Sequence, residues 1–263
     1  MAKLQVLDAT GKSVKEFDSK IFSGKIREDM IQKIVETEKL ISKHPHSPFF
    51  QAGQQTSASG NVRHLRHSWK SDRGRGMSRV PKKKFSRRGN RFVWEGAVVP
   101  STRGGRRAHP PSGVIKLKKI NKKEMISGLK SALAMIASVD LLKKKYTRLD
   151  KEFSLKLPLI IEEKVLALKT KDFNSALEKI LDKAIEVAMQ KKTVRAGKGK
   201  MRGRKYKQNA GMLLVIGKEE SKKINQIDVV NSDELMISDM VSNGARLVMF
   251  TEKAIKDIEE KLK

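Results

Sequence analysis

Apolar and polar positions along this chain follow two periods, one of about two residues and one of about 3.6, and the two alternate. Near the N-terminus, Leu4 to Leu7 and Val14 to Phe17 flank Asp8-Ala9-Thr10-Gly11, which predicts a β-hairpin. A helix is predicted near 25–42, where Ile26, Met30, Ile34 and Ile41 share a face with charges opposite. It stops before Pro45, because the residue preceding a proline is steered away from the α region. From 43 to 110 no helical period is sustained. Order resumes at Asn121 and Glu124, spaced as the N-cap and N3 residues of a capping box, ahead of the stripe Met125, Ile126, Leu129, Leu133 and Ile136.

The second half reads as strand, helix, strand. Leu157-Pro158-Leu159-Ile160-Ile161 predicts a strand start, with its proline tolerable only at the edge. Asp172 is placed to cap a helix bearing Phe173, Leu177, Ile180, Leu181, Ala184 and Ala188 on one face. Met212 to Ile216 and Leu247 to Phe250 are continuously apolar, with Ile227 to Val230 a weaker run between them. Such runs suit strands covered on both faces, as in a parallel sheet. A short helix near 233–240 and a last helix from Thr251, with Ile255, Ile258 and Leu262, complete the pattern. The expected fold is α/β, a mainly parallel sheet sandwiched by helices, with a long basic extended loop. Residues 1–42 and 111–263 form the globular body, and 43–110 are the loop inserted in it.

Charge sharpens that division. The chain carries 58 Lys and Arg against 29 Asp and Glu, a net charge of +29. Residues 43–110 hold 16 basic residues against Asp72 and Glu95, and residues 191–207 hold nine against none. The body outside these two excursions is close to an ordinary balanced surface. A field this positive works against self-association, so no homo-oligomer is expected, and it favours a polyanionic partner. Ordered loops longer than about 15 residues are uncommon and usually functional. Rich in Gly, Ser, Arg and Pro, this one is expected not to fold alone in water and to order inside its partner. Its reach, out and back, is at most roughly 110 Å.

Several function classes drop out. No run of about 18 apolar residues is present to cross a bilayer, and the first residues lack a signal peptide's apolar stretch, so no membrane is expected. The chain has no Cys, which excludes a disulfide framework, a thiolate zinc site and a Cys nucleophile, and fits the cytoplasm. His44, His46, His64, His67 and His109 all lie in or at the ends of the basic loop, where contacts to phosphate or base explain them better than a metal. Gly197, Gly199 and Gly203 miss the dinucleotide-binding spacing by one residue, and no phosphate-binding G-x-x-x-x-G-K-[ST] occurs. Ile216-Gly217-Lys218 reads as an ordinary turn after a strand. Glu162-Glu163 and Glu219-Glu220 read as solvated surface rather than an acid/base pair. No nucleophile elbow is present. The chain is expected to be no enzyme and to hold no metal or cofactor. The rivals are a free RNA or DNA chaperone and an α/β enzyme acting on nucleic acid.

The loop has the chemistry that RNA recognition needs. Eleven of its cations are Arg, whose planar fork binds phosphate bidentately and stacks on bases. Phe49, Phe50, Trp69, Phe85, Phe92 and Trp94 are interleaved with them. Aromatic faces stack on unpaired bases, or else cluster to pin a loop. Trp69 suits either role, while Phe92 and Trp94, beside Ala97-Val98-Val99, suit the cluster. Arg73-Gly74-Arg75-Gly76, Arg103-Gly104-Gly105-Arg106-Arg107 and the near-alternation of Gly and cation from Arg195 to Arg204 let backbone approach phosphates closely.

Residues 44–60, Ser101 to Pro111 and Arg195 to Arg204 resemble the ribosomal protein L4 family in its archaeal and eukaryotic branch, in the same order across essentially the whole chain. Ending at Lys263, just after the last helix, it is similar to the archaeal form. The resemblance implies a structural constituent of the large ribosomal subunit. Its body would sit on the outside, and its loop would thread through large-subunit rRNA, help line the nascent-peptide exit tunnel and support assembly. The implied partners are rRNA, neighbouring large-subunit proteins and the nascent peptide. The residues expected on rRNA are Arg63, Arg66, Trp69, Lys70, Arg73, Arg75, Arg79, Lys82, Lys83, Lys84, Arg87, Arg88, Arg91, Arg103, Arg106 and Arg107, joined by Arg195, Lys198, Lys200, Arg202, Arg204 and Lys205. Arg73, Gly74, Arg75 and Gly76, near the loop's midpoint, are expected at the tunnel-side tip.

Overall fold

The computed structural model describes residues 2–58, 65, 67, 72, 74, 76–114, 116–146, 149 and 155–262. In chain order its elements begin with β1 (Ala2–Leu7), β2 (Ser13–Ser19), α1 (Glu28–Ser42), β3 (Lys82–Arg88) and β4 (Arg91–Gly96). Then come α2 (Lys122–Ile136), α3 (Val139–Lys145), β5 (Leu159–Ile161), α4 (Glu163–Ala167), α5 (Thr170–Leu181) and α6 (Ile185–Ala188). The rest are β6 (Lys192–Val194), β7 (Tyr206–Gln208), β8 (Leu213–Ile216), β9 (Asp228–Asn231), α7 (Ile237–Met240), β10 (Val248–Thr251) and α8 (Glu252–Leu262). Two units emerge, Met1–Ser42 with Leu117–Lys263, and Lys43–Lys116.

The first unit is built on a six-stranded sheet in the order β2-β1-β5-β10-β8-β9. Only the β1/β2 hairpin is antiparallel, and every other pairing is parallel. The sheet is thus the mainly parallel α/β arrangement expected from the apolar runs. Side chains alternate between the faces of a strand, and each inner strand divides accordingly. Ile160, Leu213, Val215, Val248 and Phe250 enter one core with α1, α2, α7 and α8. Leu159, Ile161, Leu214, Ile216 and Met249 enter a second core with α4 and α5. Each strand residue is fully covered on its own side, so continuous apolarity is a requirement of the double layer.

Several expectations shift in detail. The buried stripe of α1 is Ile31, Ile34 and Val35, whereas Ile26 and Ile41 stay 40% and 66% exposed. The helix starts at Glu28, beyond Ile26, and the i, i+3, i+4 set outcompetes the sparser one. Asn121 and Glu124 do form the capping box of α2, but Met125 and Ile126 remain exposed while Leu133 and Ile136 are buried. Asp172 lies in the first turn of α5, and Lys169 occupies the N-cap. The helix expected to run to Ala188 breaks at Asp182, whose φ of 43° is left-handed, and continues as a 3-10 turn and α6. The tertiary fit still buries Ala184 and Ala188.

The second unit is not uniformly extended. β3 and β4 pair antiparallel around Gly89-Asn90, with Gly89 at φ 58°. Two-residue turns of this kind need left-handed backbone, which glycine adopts without strain. The unit runs from Lys43 to Lys116.

Candidate nucleic-acid interface

The β3/β4 hairpin uses some of its charge internally. Lys82 pairs with Asp72, and both side chains are nearly buried. Lys83 sits directly opposite Glu95 in the ladder at 3.8 Å. The two acids of the 43–110 stretch are therefore matched to two of its lysines. Phe92 and Trp94, two apart on β4, stack with ring centroids 5.7 Å apart. Arg87 lies over the Phe92 ring at 5.2 Å and Lys84 at 5.8 Å. These aromatics therefore face each other, and two cations lie over Phe92.

The hairpin tip lacks such compensation. Arg88 is directly opposite Arg91, and both are exposed. Like charges facing each other across strands are unfavourable, and among the described residues no acid forms an ion pair with either. A bound anion removes that cost. Arg79, Arg103, Arg106 and Arg107 are likewise exposed. The last three ride on a tight turn in which Gly105 donates to the Thr102 carbonyl at 3.1 Å and Arg106 to the Val98 carbonyl at 3.0 Å. Gly74 and Gly76 take φ of 74° and 65°, with open space where a Cβ would project. Arg63, Arg66, Trp69, Lys70, Arg73 and Arg75 lie outside the described residues.

The second basic excursion is also a hairpin, which the sequence pattern did not reveal. β6 and β7 pair antiparallel, and a 3-10 turn over Lys198–Met201 closes the far end. Arg195 donates from its backbone to the Lys205 carbonyl at 2.9 Å and from its Nε to the Arg204 carbonyl at 3.2 Å. Lys198, Lys200, Arg202, Arg204 and Lys205 are all exposed, and Arg195 is half-buried. No residue from 191 to 209 is buried, and even Val194, Met201 and Tyr206 face solvent. An isolated two-stranded hairpin is marginal in water, so this one depends on its neck.

Side-chain amides and one guanidinium hold that neck. Gln190 donates to the Ala210 carbonyl at 2.9 Å and to Asp228 at 2.8 Å, and accepts from Gln208 at 3.1 Å. Asn209 accepts from the Lys191 backbone at 2.8 Å and donates to the Met189 carbonyl at 3.0 Å. Beneath them the buried Arg246 donates from Nε to the Gly211 carbonyl at 2.9 Å and pairs through its second nitrogen with Asp228 and the Ala210 carbonyl. Neither Gln190, Asn209 nor Arg246 was singled out from the sequence, because each is a lone polar residue in an unremarkable context. Arg246 also acts at a distance. Burial first, then the charges of Arg246 and Lys39, lower the Lys145 ammonium to about 8.

The body balances its own charge. Asp29 is held below the usual carboxylate range by Arg27, Glu124 by Lys33, and Asp233 by Lys261. Glu220, expected as solvated surface, instead accepts hydrogen bonds from the Gly217 backbone at 2.8 Å and the Thr251 hydroxyl at 2.7 Å. It fastens the turn after β8 to the end of β10, a structural task. Among the described residues no three His, Asp or Glu side chains are grouped to hold a metal ion.

A profile of the ribosomal protein L4/L1 family matches residues 15–261. The chain belongs to this family. The large ribosomal subunit protein uL4 of Methanospirillum hungatei is 34% identical over 265 residues, covering 97% of this chain and 98% of that one. The protein of the same name from Archaeoglobus fulgidus is 32% identical over 271 residues, 98% of each. That of Saccharolobus solfataricus is 32% identical over 275 residues, 99% of this chain and 95% of that one. The likeness to archaeal members read from three motifs thus extends along nearly the full length. The L4 family is one of structural ribosomal proteins and not of enzymes. Both basic hairpins of this L4-family chain fall within the matched range.

Proposed function

We propose that the chain is a structural constituent of the large ribosomal subunit that binds large-subunit rRNA through its two basic hairpins. The observation that carries this reading is the Arg88–Arg91 juxtaposition, a like-charge pair at an exposed tip that a phosphate backbone would resolve. Arg87, Arg103, Arg106 and Arg107 extend the same unbalanced surface in the 43–116 unit, and Arg195 to Lys205 do so on the body. Lys and Arg displace condensed counterions from RNA, so attachment weakens steeply with salt. The 43–110 stretch penetrates the RNA, contributes Arg73 to Gly76 to the exit-tunnel wall beside the nascent peptide, and supports assembly. Neighbouring large-subunit proteins are the remaining partners, and the setting is the cytoplasmic ribosome.

Photocrosslinkers placed at Arg91 and at Arg202 in purified large subunits test this. Crosslinks from both positions to large-subunit RNA are expected, with the chain co-sedimenting with the subunit in high salt. A chain that washes off and crosslinks broadly to free RNA would instead be a chaperone outside the particle.

A further inference from the structure

The 43–116 unit contains a cleft of about 970 Å³ whose lining includes Phe49, Phe50, Arg106 and Arg107. One wall is the turn 49–54, closed by hydrogen bonds from the Ala52 backbone to the Phe49 carbonyl and from Gln54 to Gln51, each at 2.9 Å. The lining is completed by the arginine turn ending in Arg106 and Arg107, with Pro110 and Pro111. Backbone against backbone holds the walls together. A Cβ on Gly53 would lie 2.5 Å from the Gly105 carbonyl, and Gly53 has φ 76°. A Cβ on Gly105 would lie 2.2 Å from the Val99 carbonyl oxygen. Both positions therefore exclude any other residue, and they fix the aromatic turn beside the arginine turn.

Phe50 is 93% exposed and Phe49 61% exposed at this cleft. Burying large aromatic rings is strongly favoured in water, so two bare rings on a glycine-locked frame await a cover. The cover's chemistry follows from its neighbours. A flat apolar face beside two guanidinium groups and a backbone free to approach fits an unpaired nucleotide, with its base stacked on Phe50 and its phosphate at Arg106 and Arg107. We infer that this cleft is a subsite for a single flipped-out RNA base, clamped between the Phe50 turn and the Arg106-Arg107 turn. The inference rests on the rRNA-binding reading and deepens it. It assigns this cleft to unpaired RNA, whereas the hairpin tips require only a phosphate backbone.

The test uses the full chain with two probes, a single-stranded RNA decamer carrying one 2-aminopurine and a fully paired RNA duplex. Wild-type protein should quench the 2-aminopurine on binding, and binding to both probes should fall with salt. Phe50→Ala should weaken binding to the single strand about tenfold and abolish the quench, since stacking on an aromatic is worth about that factor per base. Phe50→Trp should restore both, and duplex binding should be unchanged in either variant. Phe50 is exposed, so neither substitution touches a core. If Phe50→Ala leaves the quench and single-strand affinity intact while salt-sensitive binding persists, the cleft assignment falls and the rRNA reading stands. If wild-type protein shows no salt-sensitive binding to either probe, both fall. If Phe50→Ala binds both probes normally but loses a neighbouring protein from assembled subunits, the occupant is a protein and the inference is overturned.

Discussion

The two basic hairpins solve one problem by opposite means. β3/β4 carries its own scaffold, with Lys82–Asp72 and Lys83–Glu95 pairs at its root, a Phe92–Trp94 stack, and Arg87 and Lys84 laid over it. β6/β7 has neither acids nor an aromatic pair, and Gln190, Asn209 and Arg246 fasten its neck to the body. The difference tracks their attachments. The hairpin within the 74-residue excursion draws its local shape from its own residues. A hairpin rooted in a parallel sheet can borrow rigidity from the strands beneath. Among the described residues, neither hairpin's outermost cations form an ion pair.

The largest expected effect separates the two as RNA ligands. Replacing Lys198, Lys200, Arg202, Arg204 and Lys205 with Ser should lower the slope of log affinity against log salt by up to about 4, at roughly 0.7–0.9 per phosphate contact. Circular dichroism of the body should not change, because all five side chains are exposed. Replacing Arg87, Arg88 and Arg91 should reduce the slope by about 2–3. An unchanged slope in either variant would remove that hairpin from the interface.

Next in size is the clamp. Arg246→Met strands the Gly211 carbonyl, leaves the Ala210 carbonyl to Gln190 alone and leaves Asp228 without its cation. A buried group left unpaired costs about 1–3 kcal/mol, and Asp228 is half exposed, so a loss of about 2 kcal/mol in urea unfolding is expected. Hydrogen exchange should accelerate across 192–208 but not across 82–96. Equal acceleration in both would mean that Arg246 stiffens the fold at large rather than one neck. A smaller effect is expected from Trp94→Ala, which removes an aromatic pair worth about 1 kcal/mol. That loss should appear as faster exchange within 82–96 and leave the unfolding midpoint of the body in place.

The same contrast explains what could be read in advance. The sheet was legible because Met212 to Ile216 and Leu247 to Phe250 face two cores, and strands covered on both faces need such runs. The capping box at Asn121 was legible because it is local. The β3/β4 hairpin was not, because its strands are written in Lys and Arg, and charge density masked the Gly89-Asn90 turn between Phe85 and Phe92. The β6/β7 neck was hidden for a different reason. Gln190, Asn209 and Arg246 are up to 56 residues apart and meet only once β8 and β10 are paired. The cleft at Phe50 depends on Gly53 meeting Gly105, a contact across the excursion that no local period encodes.

The smallest effect tests the cost of rooting a hairpin in the body. The Arg246 clamp places a permanent cation near Lys145, which donates to the Gly244 carbonyl at 3.2 Å beside Tyr146. In the folded chain Lys145 releases its proton near 8, against an ordinary value of 10.5 when unfolded. Between those values the unfolded chain binds more protons, so this group's contribution to stability rises as pH increases through the window. Below pH 8 the full penalty is present, first of burying the ammonium and then of holding it near Arg246 and Lys39. Lys145→Met removes the charge and should raise the urea midpoint slightly at neutral pH. That advantage over wild type should shrink steadily up to pH 10.5, and in an Arg246→Met background it should be smaller throughout. A difference between Lys145→Met and wild type that stays flat with pH would show that the clamp places no electrostatic load on the sheet.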